Sequence, residues 1–376
     1  MRYISSKITE DLSQKMVFVG GPRQVGKTTM AKNILKNNHV MGRYFNWDLD
    51  TDRNALLKKH WRDDETLLIF DELHKYPQWK NWIKGLYDSR QDLHQILVTG
   101  SARLDLYRHG GDSLIGRYHY WRLHPFTLDE LPDGITPQEG LERLLRLGGF
   151  PEPFIGNDDR QARRWRRERL DRLIREDIRD LEFIKNLQGI RILVDLLRER
   201  VGGMVVVSNL ANDIQVASQT IKHWLQALEH MYLLFPVLPY TQNIPRAIQK
   251  PAKIYFYDNA DVTDESGQRF ENLVATHLLK RLHYLEDYEG YRCELRYIRD
   301  KEGREVDFAI VIDGQLKEII EVKTQDDSIS RSLKYYKEKL QPEKCTQIVK
   351  SLNHSYDKEG IRVTSAIEYF QEPIWS

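Results

Sequence analysis

Three stretches in the first hundred residues combine a short apolar run with polar residues directly after it. The runs are Met16 to Val19, Leu67 to Phe70 and the segment "QILVTGS" at 95–101. Each is short enough to be a buried strand of a parallel sheet. The segment "MAKNILKNN" that follows the first run has the character of a helix. This pattern predicts an α/β domain at the start of the chain.

The middle of the chain has a different pattern. Residues 160–180 carry Trp165, Leu170, Leu173 and Ile178 at roughly helical spacing, which predicts a helix with one packed face and one arginine-rich face. Acidic residues interrupt the positive run. A solvated helix with i,i+4 ion pairs is therefore the favoured interpretation, and contact with a phosphate backbone is the alternative.

Residues 206–240 predict a helix, a turn and a second helix, followed by the strands "YLLFPVLPY" and "AKIYFYD". Helix, turn, helix and β-ribbon in this order form the winged-helix pattern. Such a module can insert its second helix into a DNA groove. The second helix offers only Gln219, Lys222 and His223 as polar readers of bases. A protein-docking or lid element is therefore favoured over DNA reading.

The last part of the chain predicts a small α/β sandwich. An amphipathic helix, "GQRFENLVATHLLKRL", precedes three strands within 291–325 that are joined by tight turns. The turn between the last two strands is Asp-Gly, which is typical of a β-hairpin. A helix in "SISRSLKYYKEKL" and a strand in "CTQIVKS" complete the unit.

Composition narrows the classes of protein. The 376 residues are 40% hydrophobic and 30% charged, which suits a soluble globular protein of two or three domains. The net charge of +1 gives no global field for nucleic acid, so such binding would need local patches. Two cysteines without framework spacing fit a reducing cytosol. With no apolar run near 18 residues and a polar N-terminus, we expect a cytoplasmic protein without membrane contact.

The strongest chemical signal is "GGPRQVGKTT", which lies between the first strand and the first helix. This is a phosphate-binding loop in its required context, with backbone N–H groups and a helix N-terminus directed at the phosphates. We expect Lys27 to reach the β- and γ-phosphates of ATP and Thr28 to bind Mg²⁺. The predicted nucleotide-binding residues are Gly21, Pro22, Arg23, Gln24, Val25, Gly26, Lys27, Thr28 and Thr29.

Acidic and polar residues at the ends of the next strands extend this site. Asp71 and Glu72 follow the second apolar run, where α/β sheets bind ligands. Asp71 would hold Mg²⁺ and Glu72 would polarise the attacking water. Ser101, after the third strand, would sense the γ-phosphate, although a Gly-Ser turn without a ligand is an equal alternative. Arg117 is the candidate for the transition-state arginine, in cis or from a neighbouring subunit, with Arg103 as the weaker rival and a solvated surface arginine as the other interpretation.

The C-terminal hairpin carries charges in otherwise apolar strands. Glu321 and Lys323 are two residues apart and face the same side, and Asp307 on the adjacent strand can meet them. With Glu271 from the preceding helix, these acids would bind Mg²⁺ or Mn²⁺, and Lys323 would orient or deprotonate water. The alternative is that these charges pair among themselves in a structural relic.

The motifs together resemble a known family. "GPRQVGKTT", "FDELHKYPQW", "VTGSARL", "SLIGRY", "LHPFTLDEL" and "GGFPEP" occur in the order found in a large family of prokaryotic predicted ATPases. That family belongs to the AAA+ side of the P-loop class and carries a C-terminal domain of unknown function. The C-terminal segment resembles the PD-(D/E)xK nuclease core: Asp307 matches its first acid, Glu321 and Lys323 its second half, and Glu271 the helical acid. Val306 stands where that motif has proline.

The resemblance implies a three-layer P-loop AAA+ domain over 1–150, a helical and winged-helix domain over 151–257, and a nuclease-like α/β domain over 258–376. Two functions are carried forward. In the first, an ATPase drives a nuclease-like domain that cuts or grips DNA, with assembly into a homo-oligomer through the AAA domain. In the second, an ATP-dependent switch or scaffold uses an inactive nuclease-like domain to bind a protein partner.

Overall fold

The computed structural model describes residues 2–37, 41–90, 94–100, 114–178, 186–241, 251–263, 267–325 and 327–372. Ser101 and Arg103 lie outside these ranges. The chain divides into two compact units, residues 1–124 and 125–376. The predicted three-domain division, with boundaries after 150 and 257, stays a prediction.

The first unit alternates strands and helices. Its helices are α1 (Ser5–Leu12), α2 (Lys27–Asn37), α3 (Asp50–Leu57) and α4 (Trp79–Arg90), with a 3₁₀ turn at Leu73–Lys75. Its strands are β1 (Met16–Gly20), β2 (Gly42–Asn46), β3 (Leu67–Asp71), β4 (Gln95–Thr99) and β5 (Tyr118–Arg122). Within the described ranges they form one sheet in the order β2-β3-β4-β1-β5, and every neighbouring pair is parallel.

The burial of these strands follows from their sequences. β1 ("MVFVG") and β3 ("LLIFD") are buried at every position, as expected for strands covered on both faces. Phe18 and Phe70 from these strands pack with Trp79 and Ile83 of α4 in one hydrophobic cluster. Because all five strands run in the same direction, the residues that follow them meet at one edge of the sheet. The parallel α/β sheet predicted from the apolar runs is confirmed.

The second unit begins with helices and ends with a sheet. Its helices are α5 (Pro137–Leu147), α6 (Pro151–Gly156), α7 (Asp159–Arg172), α8 (Leu187–Arg198), α9 (Val207–Ile214), α10 (Ser218–His230), α11 (Gln268–Tyr284), α12 (Arg331–Leu340) and α13 (Ala366–Gln371). Shorter helical turns cover Leu173–Ile178, Asn259–Asp261 and Leu285–Glu289. The strands are β6 (Met204–Val205), β7 (Leu234–Pro239), β8 (Ala252–Phe256), β9 (Cys293–Arg299), β10 (Glu305–Ile312), β11 (Gln315–Lys323), β12 (Lys344–Val349), β13 (Tyr356–Lys358) and β14 (Ile361–Ser365).

Among the described residues of this unit, these strands form a nine-stranded mixed sheet in the order β13-β14-β12-β11-β10-β9-β7-β8-β6. The hairpin β10–β11 is confirmed, and its turn residues Asp313 and Gly314 both have positive φ, as the favoured two-residue hairpin turn requires. The ribbon β7–β8, predicted as the wing, joins the same sheet because β7 pairs in parallel with β9. The charged hairpin and the ribbon therefore share one sheet.

The motif segment "PFTLDEL", residues 125–131, contacts helix α11 of the same unit. Lys280 of α11 is 1% exposed, and its Nζ contacts Asp129 Oδ1 at 3.0 Å and Glu130 Oε2 at 2.9 Å. The backbone N–H of Leu128 donates to His277 Nε2 at 2.8 Å. These contacts fasten the start of the unit onto the helix that carries Glu271.

None of the helices within the described ranges combines the length and the apolar character needed to cross a membrane.

Candidate functional site

The phosphate loop, residues 21–29, connects the buried strand β1 to helix α2. Gly21 has φ 135°, and a Cβ built there would lie 2.4 Å from the carbonyl oxygen of Leu123. Only glycine fits this close approach of two backbone segments. Helix α2 begins at Lys27, so its N-terminal N–H groups point into the loop, which is the arrangement that binds phosphate.

Lys27 is buried and folded back over the loop. It is 6% exposed, and its Nζ donates to the carbonyl oxygens of Gly21 at 2.9 Å and Pro22 at 2.7 Å. An ammonium group beside backbone N–H groups and a helix N-terminus makes the loop electropositive. This arrangement suits the binding of a polyphosphate.

Asp71 lies at the end of β3 and is 4% exposed. Its Oδ2 accepts hydrogen bonds from Thr28 Oγ1 and from the Tyr44 hydroxyl, both at 2.7 Å, and its Oδ1 accepts from Thr99 Oγ1 at 2.5 Å. Thr28 and Asp71, both predicted to bind Mg²⁺, are thus in direct contact. A hydroxyl and a carboxylate supply the hard oxygen ligands that Mg²⁺ prefers, so these residues fit the ion.

Sequence reasoning missed Tyr44, which lies on β2. Burial and the hydrogen bond to Asp71 raise the pKa of the Tyr44 hydroxyl well above its usual range, so it stays protonated as a donor. The letters around Tyr44 carry no motif. Its role follows from the pairing of β2 with β3, which sets Asn46 opposite Asp71 and brings Tyr44 to the same edge.

Glu72 follows Asp71 in a left-handed conformation with φ 59°. A non-glycine residue with positive φ is uncommon and costs on the order of 1 kcal/mol, and such strain clusters at functional sites. The Glu72 N–H is held by the Thr99 carbonyl oxygen at 2.9 Å. Its Oε2 lies 3.3 Å from Lys75 Nζ and 3.7 Å from His74 Nε2. These two contacts fix the orientation of the carboxylate of Glu72, which directly follows Asp71 in the chain.

Arg117 lies where the strands of the first sheet begin, whereas the phosphate loop lies where they end. It immediately precedes β5, whose first residue Tyr118 pairs with Met16 at the start of β1. Its Nε and one terminal nitrogen donate to Asp88 at 2.7 and 3.2 Å. The phosphate loop follows the other end of β1, so this unit does not bring Arg117 to its own loop. A contribution from a neighbouring subunit stays a prediction.

In the second unit the hairpin brings Asp307 and Glu321 together. Phe308 pairs with Ile320, which sets Asp307 opposite Glu321, and Asp307 Oδ2 accepts from the Val322 N–H at 2.9 Å. Lys323 Nζ lies 2.8 Å from Glu321 Oε1, as their spacing on one face of β11 requires. Glu271 approaches this group from helix α11.

A second lysine, which sequence reasoning missed, lies inside this cluster. Lys253 of β8 is 1% exposed, and its Nζ is 2.6 Å from Glu305 Oε1, 3.6 Å from Glu271 Oε1 and 3.7 Å from Asp307 Oδ1. The Tyr255 hydroxyl donates to Glu271 Oε1 at 2.6 Å. A lysine within the apolar strand "AKIYFYD" was the available signal, but the sequence does not indicate its partners.

Burial dominates the electrostatics of this carboxylate cluster, which comprises Glu271, Glu305, Asp307 and Glu321. Burial and the Asp307 charge raise the pKa of both Glu271 and Glu321 to about 7. Burial also raises the pKa of Asp307, although Lys253 opposes the shift. Burial would lower the pKa of Lys253, but Glu271, Asp307 and Glu305 together raise it. Burial would also raise the pKa of Glu305, but Lys253 and Arg299 lower it below its usual range, so only Glu271 and Glu321 of this cluster titrate near pH 7.

Two features of the carboxylate cluster bear on whether it can bind a divalent cation. Glu321 Oε2 is buried without a hydrogen-bond partner. A Cβ at position 202 would lie 2.7 Å from both carboxylate oxygens of Glu271, so only glycine at this position avoids a clash with that carboxylate. Carboxylate oxygens suit Mg²⁺ or Mn²⁺. Within the described ranges, however, no three acidic, histidine or cysteine side chains are already arranged to hold a metal ion. The donor types fit the ion, and Lys253 occupies part of the space between them.

The predicted base-reading helix is α10. Gln219 and Lys222 are exposed on it, whereas His223 is half-buried. The ribbon beside it is completed by β6, which pairs antiparallel with β8. The winged-helix assignment stays a prediction.

Three family models match the chain. Residues 13–132 match an AAA domain, residues 138–262 match a domain of unknown function (DUF8612), and residues 266–369 match another domain of unknown function (DUF4143). The chain therefore carries an AAA-type P-loop ATPase domain, a class that binds a nucleoside triphosphate, usually with Mg²⁺, and hydrolyses it. The predicted AAA-type ATPase is confirmed at this level.

The relatives are similar along most of the chain. An uncharacterized protein of Methanocaldococcus jannaschii, MJ1544, is 23% identical over 93% of this chain and 84% of its own length. An uncharacterized protein of Mycobacterium tuberculosis, Rv2008c, is 23% identical over 85% of this chain and 73% of its own. Among solved structures, the Thermotoga maritima RuvB Holliday junction branch migration motor covers 66% of this chain and 94% of its own at 16% identity and a TM-score of 0.32. A TM-score this low gives no ground for transferring fold or function.

Proposed function

We propose that this protein couples ATP hydrolysis in its AAA domain to a nuclease-like domain that acts on nucleic acid. The observation that carries the proposal is the pairing of two sites: Thr28 with Asp71 beside the phosphate loop, and Asp307 with Glu321 on the charged hairpin. The first suits Mg–ATP, and the second suits phosphodiester chemistry at a divalent cation.

In the ATP site each residue has a distinct role. Lys27 and the loop N–H groups bind the β- and γ-phosphates. Thr28 and Asp71 would hold Mg²⁺, which neutralises phosphate charge. Glu72 orients the attacking water and accepts its proton, and the nearby Lys75 and His74 position the Glu72 carboxylate.

The Glu72 assignment is tested by Glu72→Gln. The variant keeps the shape of the side chain and loses the base, so it should bind ATP with unchanged affinity and turn over at least about 100-fold more slowly. Glu10→Gln, at an exposed position of α1 in the same unit, is the control. Turnover at the wild-type rate would mean that Glu72 is not the base.

In the nuclease-like site, Asp307, Glu321 and Glu271 would hold Mg²⁺ or Mn²⁺, which would polarise a scissile phosphate when bound. Lys323 would orient or deprotonate the water from its position beside Glu321. The test is incubation of the full chain with Mg²⁺ or Mn²⁺ and plasmid, linear duplex or single-stranded DNA. Wild-type cleavage that disappears in Asp307→Ala supports the assignment.

Lys253 favours a second candidate function. A buried ammonium already supplies positive charge to Glu271, Glu305 and Asp307, which is expected of a domain that kept the nuclease fold and lost the metal. Such a protein would be an ATP-dependent switch whose C-terminal domain binds a protein partner. No cleavage by wild type, together with melting curves that Mn²⁺ does not move, would select this function.

Assembly is the remaining part of the proposal. Arg117 would complete the ATP site of a neighbouring subunit in a homo-oligomer. Mixing Arg117→Ala with Lys27→Ala protein should then restore part of the ATPase activity, because some interfaces combine an intact loop with an intact arginine. A monomer by light scattering in ATP, without such restoration, would exclude this role.

A further inference from the structure

Helix α7 has two faces of opposite character. Its inward face carries Ala162, Trp165 and Arg169, which are buried. Its outward face carries four exposed arginines at the i, i+3, i+4, i+7 spacing of a single helix face. These four guanidinium groups form what we call the arginine stripe: Arg160, Arg163, Arg164 and Arg167.

The arginine stripe stands on a fixed support. Arg169, on the opposite face, lies over the Phe150 ring at 4.0 Å and pairs with the buried Asp261 at 3.3 Å. The N-terminus of α7 is capped by Asp158, which accepts from the Gln161 N–H at 2.9 Å. A helix held at its buried face and its first turn presents the stripe on an ordered backbone, so binding orders only the arginine side chains.

Acids in the same segment do not cancel the stripe. Asp159 pairs with Arg146 of α5, and Asp171 pairs with Arg191 of α8, so both are neutralised by arginines from other helices. Asp158 caps the helix near Arg160 and Arg163, and Glu168 lies exposed at the edge of the stripe. Four arginines against these two acids leave a net positive surface.

We infer that the arginine stripe is a docking surface for the phosphate backbone of nucleic acid. With a rise of about 1.5 Å per residue the stripe is about 10 Å long, and a duplex presents about one charge per 1.7 Å of its axis, so several phosphates lie within its reach. One guanidinium group can donate two parallel hydrogen bonds to two oxygens of a phosphate, whereas an ammonium group binds as a point charge.

The composition of the exposed face favours nucleic acid over a protein partner. The exposed residues of α7, all within the described ranges, are polar or charged. Protein interfaces centre on aromatic and apolar anchors, and charge is depleted at their core. A face made of guanidinium groups without such an anchor fits a regular polyanion. The inference rests on the proposed function for its substrate class, and it adds the surface by which that substrate is held.

The test is binding of a fluorescein-labelled 30-base-pair duplex of mixed sequence, measured by anisotropy in EDTA without nucleotide, from 50 to 200 mM salt. The stripe variant combines Arg160→Gln, Arg163→Gln, Arg164→Gln and Arg167→Gln. The matched control removes the same charge from exposed positions of the same unit: Arg292→Gln, Lys301→Gln, Lys344→Gln and Lys358→Gln.

We expect the stripe variant to bind at least about tenfold more weakly at the lowest salt. Its slope of log affinity against log salt should be shallower by about 3 to 4, because each lost phosphate contact removes about 0.9 from the slope. The control variant should stay within about twofold of wild type. Replacing the four arginines by lysine should give an intermediate affinity, since charge remains and paired hydrogen bonding is lost.

Three results would overturn the inference: a stripe variant that binds like the control, a wild type that binds no duplex at 50 mM salt, or competition by a polyglutamate peptide as strong as that by unlabelled duplex. The last would point to an acidic protein partner. If the stripe variant melts early, the double variant Arg163→Gln with Arg164→Gln replaces it, with about half the change in slope. The binding assay omits metal and is therefore independent of cleavage. If wild type cleaves no DNA but the stripe variant binds duplex more weakly, only the nuclease role is excluded. If wild type cleaves DNA but the stripe variant binds duplex like wild type, only the role of the arginine stripe is excluded.

Discussion

Each unit of this protein buries a lysine at its candidate site, and the two lysines have different neighbours. Lys27 donates to the carbonyl oxygens of Gly21 and Pro22 in the phosphate loop. Lys253 lies among the carboxylates of Glu305, Glu271 and Asp307. Carbonyl dipoles hold an ammonium group without cancelling its charge, whereas carboxylates neutralise it. The first site is prepared for an anion, and the second contains its own counter-charge.

The acids at the two sites differ in the same way. Asp71 is held by three hydroxyl groups, from Thr28, Tyr44 and Thr99. Glu321 is held by Lys323, and Asp307 lies near Lys253 and accepts from a backbone N–H. A hydroxyl can turn its lone pairs toward a metal ion, whereas an ammonium group has none to offer. The comparison therefore predicts that a metal ion binds more readily beside the phosphate loop than on the hairpin.

The largest expected effect is on the phosphate loop. Lys27→Ala removes the charge that meets the β- and γ-phosphates, so ATP affinity should fall at least about 100-fold. Calorimetry with a non-hydrolysable ATP analogue measures it. Lys36→Ala, at the exposed end of the same helix, should bind like wild type. Undiminished affinity in Lys27→Ala would remove the nucleotide assignment.

The next effect tests the counter-charge in the second unit. Lys253→Met leaves Glu271 and Asp307 without their cation, whereas Glu305 keeps Arg299. The loss should lower the free energy of unfolding by about 3–5 kcal/mol. Denaturant unfolding with and without Mn²⁺ measures it, with the exposed Lys301→Met as control. Recovery of stability in Mn²⁺ would mean that the carboxylates can exchange the lysine for a metal ion. Unaltered stability without metal would contradict the neutralising role of Lys253.

The raised pKa of Glu321, about 7 against its usual 4.5, predicts a pH dependence of stability. Because the folded state holds the proton more tightly, this contribution is full below pH 4.5 and is lost as pH rises through 7. Glu321→Gln should remain uncharged and so flatten the decline in melting temperature between pH 5 and 8. The exposed Glu302→Gln should keep the wild-type slope. A variant with the wild-type slope would place the titration elsewhere.

The smallest effect concerns the hydroxyl that Tyr44 donates to Asp71. Tyr44→Phe removes one hydrogen bond of about 1 kcal/mol, which corresponds to a roughly fivefold rise in the Mg²⁺ concentration for half-maximal ATPase activity. ATP binding without Mg²⁺ should not change. Tyr76→Phe, whose exposed hydroxyl contacts Gln78 instead, is the control. An unchanged Mg²⁺ requirement would mean that Thr28 and Thr99 orient Asp71 without help.

Much of both sites was predictable from short segments. The strand, loop and helix around Lys27 are contiguous in the chain, and Asp71 directly follows its apolar run, so local pattern predicted that Thr28 and Asp71 each bind Mg²⁺. The structure brings the two side chains into contact. The Asp-Gly turn likewise predicted the hairpin that sets Asp307 opposite Glu321. Period-two alternation then required Glu321 and Lys323 to share a face.

Other features depended on which segments lie side by side in space. Arg117 looked equally suited to a role in cis, but the parallel register of β5 with β1 carries it to the edge away from the loop. In the sequence, the acids of the arginine-rich helix α7 were expected to pair with its own arginines. In the structure, Arg146 and Arg191 from other helices pair with two of these acids. These outcomes were decided by pairings between segments that no local motif records.

The sequence by itself determined the chemistry present in each unit: a phosphate loop with its acid, and a hairpin with two acids and a lysine. Local backbone preference and strand periodicity are sufficient for that, because the residues involved are close in the chain. Only the tertiary structure decided which charges are compensated. Tyr44 reaches Asp71 across 27 residues of chain, and Lys253 reaches Glu305 from another strand of the sheet. Burial makes such contacts strong, because water no longer screens them, and burial is a property of the packed fold alone.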